Sequence, residues 1–124
     1  MDNRSRPRVL CVDDEPNVLE GISLHLHRRY EVATANSAYD ALITIGQKTP
    51  DLVVLDLLMP RVDGYEACRA IKSSPNGAKI KVVCVTGRYS TDAAKRGKEL
   101  GALGCYSKEQ AAHGLLEIVE AALA

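Results

Sequence analysis

Residues Leu52, Val53, Val54, Leu55 and Leu57 form an apolar run with no polar alternation, and a single carboxylate, Asp56, is set near its end. A run of this length and β-branched content is the signature of a strand covered on both faces, hence of a central strand in a parallel sheet flanked by helices. An ionised carboxylate costs several kcal/mol in apolar surroundings unless cations or donors meet it or it reaches the wet end of the strand. Met59-Pro60 stops the strand and Asp63-Gly64 makes a turn before the next helix. Asp56 is therefore expected at a strand's carboxyl end, where open α/β sheets place their ligands.

The rest of the chain repeats this unit. Val9-Leu10-Cys11-Val12 is a short buried strand leading into Asp13-Asp14-Glu15-Pro16, with Asp14 a candidate cap and Pro16 suited to the first turn of a helix. Val18, Leu19, Ile22 and Leu26 share one face of that helix. Tyr30 to Ala35 reads as the second strand. Ser37-x-x-Asp40 opens a helix with Ala38, Ala41, Leu42 and Ile45 inward, which Thr49-Pro50 ends. A third helix runs from Gly64 to about Ser73 with Tyr65, Cys68 and Ile71 inward, ended by Ser74-Pro75-Asn76-Gly77, and Ile80 to Thr86 is a second doubly covered strand. Ser90, Thr91 or Asp92 caps a fourth helix extending to Gly101, whose apolar face is the weakest of the set. Leu103 to Ser107 is the fifth strand, and Glu109 to Leu123 is a helix with Leu115, Leu116, Val119, Ala122 and Leu123 on one side.

Five strand-then-helix units with short connections require right-handed crossovers. The expected fold is α/β: a (βα)5 doubly wound, flavodoxin-like three-layer sandwich with a five-stranded parallel sheet in order 2-1-3-4-5. Residues 1–7 read as a disordered lead-in and 8–124 as the domain. At 124 residues one core suffices.

Sixteen basic and sixteen acidic residues balance, so no global field draws the chain to nucleic acid or anionic lipid. No apolar run approaches the roughly 18 residues of a membrane span, and MDNRSRPR lacks the apolar middle of a secretory signal, which points to the cytoplasm. Cys11, Cys68, Cys84 and Cys105 are widely spaced without a C-x-x-C pair, and read as buried free thiols of a reducing compartment.

This topology brings Asp13 and Asp14, Asp56, Thr86 and Lys108 from four strand ends to one edge. Clustered carboxylates raise one another's pKa unless a cation intervenes, and an all-oxygen donor set suits Mg2+ or Mn2+ rather than zinc. An aspartate facing a hydroxyl and an ammonium can accept a phosphoryl group, with Asp56 attacking phosphorus and Thr86 and Lys108 binding the remaining oxygens. Each residue has a plainer reading. Asp14 could only cap a helix, Thr86 only end a strand and Lys108 only cover a helix start, but their coincidence at one edge favours chemistry. His25, His27 and His113 have no partner at ligand spacing, and the Arg4, Arg6 and Arg8 cluster reads as solvated.

Four blocks in order, VDDEP at 12–16, VVLDLLMPRVDG at 53–64, VTG at 85–87 and the lysine at 108, resemble the response-regulator receiver domains of bacterial two-component signalling. The resemblance implies Asp56 as the phosphorylated residue, Asp14 as a direct Mg2+ ligand, Asp13 as a ligand largely through water, and the Leu58 carbonyl as a further ligand. It implies Thr86, Gly87 and Lys108 as phosphoryl contacts and a sensor histidine kinase or histidine phosphotransfer protein as donor. Phosphorylation would switch the surface of helix four, strand five and helix five without making the chain a turnover enzyme.

Three departures stand out. Glu109 follows the lysine where the family usually has proline, and a trans bond is expected there. Cys105 holds the usual position of the switch aromatic, with Tyr106 one step along and so facing the opposite way, which alters the expected switch set of Thr86, Cys105 and Tyr106. Leu58 offers no polar side chain to orient water and Arg88 follows close on Thr86, which together predict a long-lived phosphoryl group. An unphosphorylated dimerisation or docking module is the main alternative. A haloacid-dehalogenase-type phosphatase would need an aspartate where Leu58 stands. The chain reads as either a stand-alone receiver or part of a longer regulator with an output domain, and its oligomeric state is open, a homodimer included.

Overall fold

In a computed structural model that describes residues 6–124, the run around Asp56 is the middle of the sheet. Strand β3, Leu52–Asp56, is buried at every position. It pairs in parallel with β1, Arg8–Val12, on one side and with β6, Lys81–Thr86, on the other. Strand β2, Glu31–Ala35, and strand β7, Gly104–Ser107, complete the parallel order β2-β1-β3-β6-β7, which is 2-1-3-4-5 when only the strands of this sheet are counted. The register sets Asp56 opposite Val85 and Thr86 opposite Ser107, so both end at the carboxyl edge.

Alternation along each strand divides the core in two. Leu10, Val53, Leu55 and Val82 face a layer made by α2, Ala38–Gln47, and α3, Gly64–Ser73. Val9, Cys11, Val54 and Val83 face α1, Pro16–Leu26, and α5, Lys108–Leu123. Helix α4, Thr91–Glu99, joins the first layer through Ala94 and the neighbouring Leu100. The central strands β1, β3 and β6 therefore carry no polar face, which is why their sequences do not alternate, whereas the edge strand β2 leaves Glu31 and Thr34 exposed.

Local chemistry sets the helix ends. Ser37, Asp63, Ser90 and Ser107 each accept a backbone N–H at the start of α2, α3, α4 and α5, respectively. Ser107 and Gln110 cap reciprocally, so α5 begins at Lys108, one residue earlier than the sequence suggests. Helix α1 differs from expectation: Asp14 does not cap it. Glu15 occupies the N-cap position without a side-chain bond, and Pro16 supplies the first helical residue. Helix α4 stops at Glu99, two residues short of expectation, because Gly101 takes φ 106 and turns the chain out of the helix. Leu42 is 37% exposed rather than inward, since Ala41 and Ile45 already fill the α2 contact.

Between β3 and α3 lies an element absent from the sequence reading. Strands β4, Leu58–Met59, and β5, Val62–Asp63, form an antiparallel ladder whose turn places Arg61 at φ 63. Gly64 closes it: a Cβ there would lie 2.4 Å from the Leu57 Cα, so only glycine lets α3 start against the backbone beside Asp56. All peptide bonds of the described residues are trans, including that between Lys108 and Glu109. The expected lead-in lies mostly outside those residues. Of its last two members, Arg6 donates to the His27 carbonyl and Pro7 accepts from the Glu31 amide.

Candidate functional site: an acidic pocket at the strand ends

The carboxyl edge gathers the only buried polar or charged side chains of the described residues, Asp13, Asp56 and Thr86. Asp13 follows β1, Asp56 ends β3 and Thr86 ends β6, so three neighbouring strands deliver them. Lys108 reaches in from the first residue of α5. Its ammonium donates to Asp13 Oδ2 at 2.6 Å and to Asp56 Oδ2 at 3.4 Å. Asp56 also accepts from the Leu58 N–H at 3.0 Å, and Asp13 Oδ1 accepts from the Glu15 N–H at 3.0 Å. Each buried carboxylate thus has one backbone donor and a share of one cation, which keeps both ionised groups tolerable in the interior.

The electrostatics remain biased. Burial pushes the Asp56 carboxyl up, and the Leu58 N–H bond and the Lys108 charge offset this only in part, while Asp13 adds to the rise. For Lys108, burial pulls downward, but its hydrogen bond to Asp13 and the charges of Asp56 and Asp13 leave its pKa raised. Two carboxylates sharing one ammonium form a site short of positive charge.

Asp13, Asp14 and Glu15 bring carboxylate oxygens within 4.8 Å of one another. This all-oxygen set, one member buried and one exposed, fits a hard divalent cation that keeps part of its water. Glu15 lies in this cluster beside the Asp13 and Asp14 expected from the sequence, while Lys108 donates to both Asp13 and Asp56. The acidic run 13–15 was visible in the sequence, but Glu15 there reads only as part of a helix start.

Thr86 Oγ1 accepts from the Arg88 N–H at 3.0 Å, so its hydroxyl hydrogen is free to turn toward the pocket. Gly87 follows, and the Leu58 side chain lies over it, with Cδ1 3.7 Å from where a Cβ would stand. Cys105 and Tyr106 point to opposite sides: Cys105 packs in the layer with α2 and α3, Tyr106 in that with α1 and α5. His25 and His27 each hydrogen-bond through Nδ1 to carbonyls of α1.

A doubly wound parallel sheet of this order, with an acidic pocket at its carboxyl edge and a lysine from the last strand-helix junction, defines the class of response-regulator receivers. The chain belongs to that family: residues 9–120 match the response regulator receiver domain. It is 35% identical over 117 residues to the response regulator MprA of Mycobacterium leprae, covering 94% of this chain and 50% of that protein. It is 36% identical over 103 residues to a "Probable cyclic di-GMP phosphodiesterase" of Vibrio cholerae, covering 83% of this chain and 23% of the relative. The chain therefore spans half or less of these relatives. Among solved structures, the chemotaxis protein CheY4 of Vibrio cholerae superposes with a TM-score of 0.88 at 27% identity, covering 95% of this chain and 99% of that one. The BeF3-activated DrrB receiver domain gives 0.83 at 29% identity, with 95% and 97% covered. Among the described residues no helix is long and apolar enough to cross a membrane.

Proposed function

We propose that residues 8–124 act as a phosphorylatable receiver in which Asp56 takes a phosphoryl group from a phosphohistidine of a sensor kinase or phosphotransfer protein. The observation that carries this reading is the buried Asp13, Asp56 and Lys108 cluster, with Lys108 Nζ 2.6 Å from one carboxylate and 3.4 Å from the other. An oxygen of Asp56 attacks phosphorus, the phosphorus–nitrogen bond of the donor breaks, and the imidazole leaves with the bonding pair. Burial makes Asp56 a stronger nucleophile than a solvated carboxylate, and the Leu58 N–H holds one oxygen while Lys108 sits 3.4 Å from the other, the one left to attack. Once Asp56 is esterified, its charge no longer holds Lys108, whose ammonium follows the incoming phosphoryl oxygens. Thr86 and the Gly87 backbone meet the remaining oxygens.

Asp13 and Asp14, with Glu15 beside them and with Asp56 and the Leu58 carbonyl, would hold Mg2+ or Mn2+. When bound, that ion neutralises the charge that builds on the phosphoryl oxygens. The exposed Leu58 over Gly87 offers no group to orient water, consistent with slow hydrolysis of the aspartyl phosphate. The modification is stoichiometric, so the chain signals by changing the surface of α4, β7 and α5 and does not turn over a substrate. A cytoplasmic setting, an output domain or protein downstream, and a signalling role without direct nucleic-acid contact fit this reading.

A second reading keeps one observation on its side. Lys108 already pairs with both buried carboxylates, so the pocket is satisfied without phosphate and the fold could serve as an unmodified dimerisation or docking module. Incubation with a small phosphodonor such as acetyl phosphate and Mg2+, read by intact mass, separates the two. Gain of one phosphoryl group that is lost in Asp56→Asn is expected. A folded wild-type chain that gains nothing, or a gain that persists in Asp56→Asn, would overturn the acceptor role.

A further inference from the structure

Helix α4 is held to the molecule unlike its neighbours. It buries only Ala93 and Gly97, whereas α3 buries Gly64, Ala67, Cys68 and Ile71. With so little apolar area committed, its position against α3 depends on contacts made by its longer side chains. One is distinctive. The Arg96 guanidinium carbon lies 4.0 Å from the centroid of the Tyr65 ring. The same group has Nη2 3.8 Å from Asp63 Oδ2.

Both partners are fixed. Asp63 caps α3 by accepting the Tyr65 N–H at 2.9 Å, so carboxylate and ring are set by one turn of backbone. Tyr65 packs against the core layer of α2 and α3, and burial together with the neighbouring Cys105 and the Asp63 charge pushes its phenol up, with Arg96 opposing. Arg96 thus rests on a rigid base of aromatic face and carboxylate, an arrangement that suits a planar guanidinium better than an ammonium.

The chain path gives this contact its meaning. Asp63 and Tyr65 end the segment that leaves Asp56 through the β4–β5 ladder. Arg96 belongs to the helix entered from Thr86, whose Oγ1 accepts the Arg88 N–H just before α4. One guanidinium therefore ties together the two segments that depart from the acidic pocket.

We propose that Arg96 is a latch: stacked on Tyr65 and paired with Asp63, it holds α4 against α3 while Asp56 is unmodified, and its grip sets how far α4 responds when Asp56 changes. The second half of this statement rests on the acceptor role of Asp56, and the first does not. At side-chain exposures of 55% for Arg96 and 49% for Asp63, the contact is strong enough to bias α4 and weak enough to release it.

Hydrogen exchange of the whole chain, read by mass on α4 peptides, tests both halves. In the unmodified protein, Arg96→Gln and Tyr65→Leu should speed α4 exchange about three- to ten-fold while β1 and β3 amides keep their protection. Tyr65→Phe, which retains the ring face, should match wild type, and Arg96→Lys should fall between. Unchanged α4 exchange in Arg96→Gln, or equal loss in Tyr65→Phe and Tyr65→Leu, would overturn the latch. After treatment with acetyl phosphate and Mg2+, wild-type α4 should loosen and Arg96→Gln should show a smaller further change. Equal increments in the two would overturn the coupling. A wild-type chain that gains no phosphoryl mass defeats the acceptor reading, and the unmodified arm still judges the latch.

Discussion

At the scale of single residues, Asp56 and Lys108 carry opposite tendencies that pH can separate. The Asp56 carboxyl is raised above its ordinary 3.8 by burial, so its contribution to stability is fully present below that value and is lost as pH rises through the raised one. Ionising Asp56 therefore costs the folded state at neutral pH. Asp56→Asn, which keeps an oxygen for the Leu58 N–H but carries no charge, should unfold at higher urea than wild type at pH 7, the gap closing as pH falls below 3.8. Lys108 behaves in the opposite range. Its raised pKa stabilises the fold fully below 10.5 and ceases to do so as pH rises past the folded value. Urea midpoints of both proteins across pH 3 to 11 check the two signs together, and a wild type that outlasts Asp56→Asn at pH 7 would contradict the first.

At the scale of elements, α5 shows how a cap sets a functional side chain. Ser107 and Gln110 satisfy each other's backbone donors, and this reciprocal cap makes Lys108 the first helical residue, aimed at Asp13 and Asp56. Ser107→Ala should cost about 1 kcal/mol in urea unfolding. An effect below about 0.3 kcal/mol would mean that packing alone starts the helix. Gly114, at φ −136 and ψ 27, interrupts α5 a turn and a half later, so the segment bearing Lys108 is set by its cap while the buried Leu115, Val119 and Ala122 anchor the rest.

At the scale of the molecule, two apolar layers on either side of the sheet account for the four cysteines. Cys11 lies in the α1 and α5 layer, and Cys68, Cys84 and Cys105 in the other, all free and buried. Burial pushes the Cys11 thiol up to about 12, with the Asp13 charge adding to the rise, so it presents almost no thiolate near neutrality. A thiol reagent should label none of the four within minutes in the native protein and all four in urea. Rapid native labelling of any one would show that its layer opens.

Much of this was legible along the chain. Doubly covered strands announce themselves by unbroken apolar runs, and their carboxyl ends named Asp13, Asp56, Thr86 and Lys108, because burial of a strand and placement of its last residue are local consequences of hydropathy and topology. The pairings were not legible. That Lys108 would bridge Asp13 and Asp56, that Leu42 would stay exposed, and that Arg96 would stack on Tyr65 depend on distances between residues far apart in sequence. The amino-acid order determined the layered sheet and the edge at which the acids gather. Only the tertiary structure decided which charge meets which, because Coulomb and stacking energies depend on separations of a few ångströms that no spacing along the chain specifies.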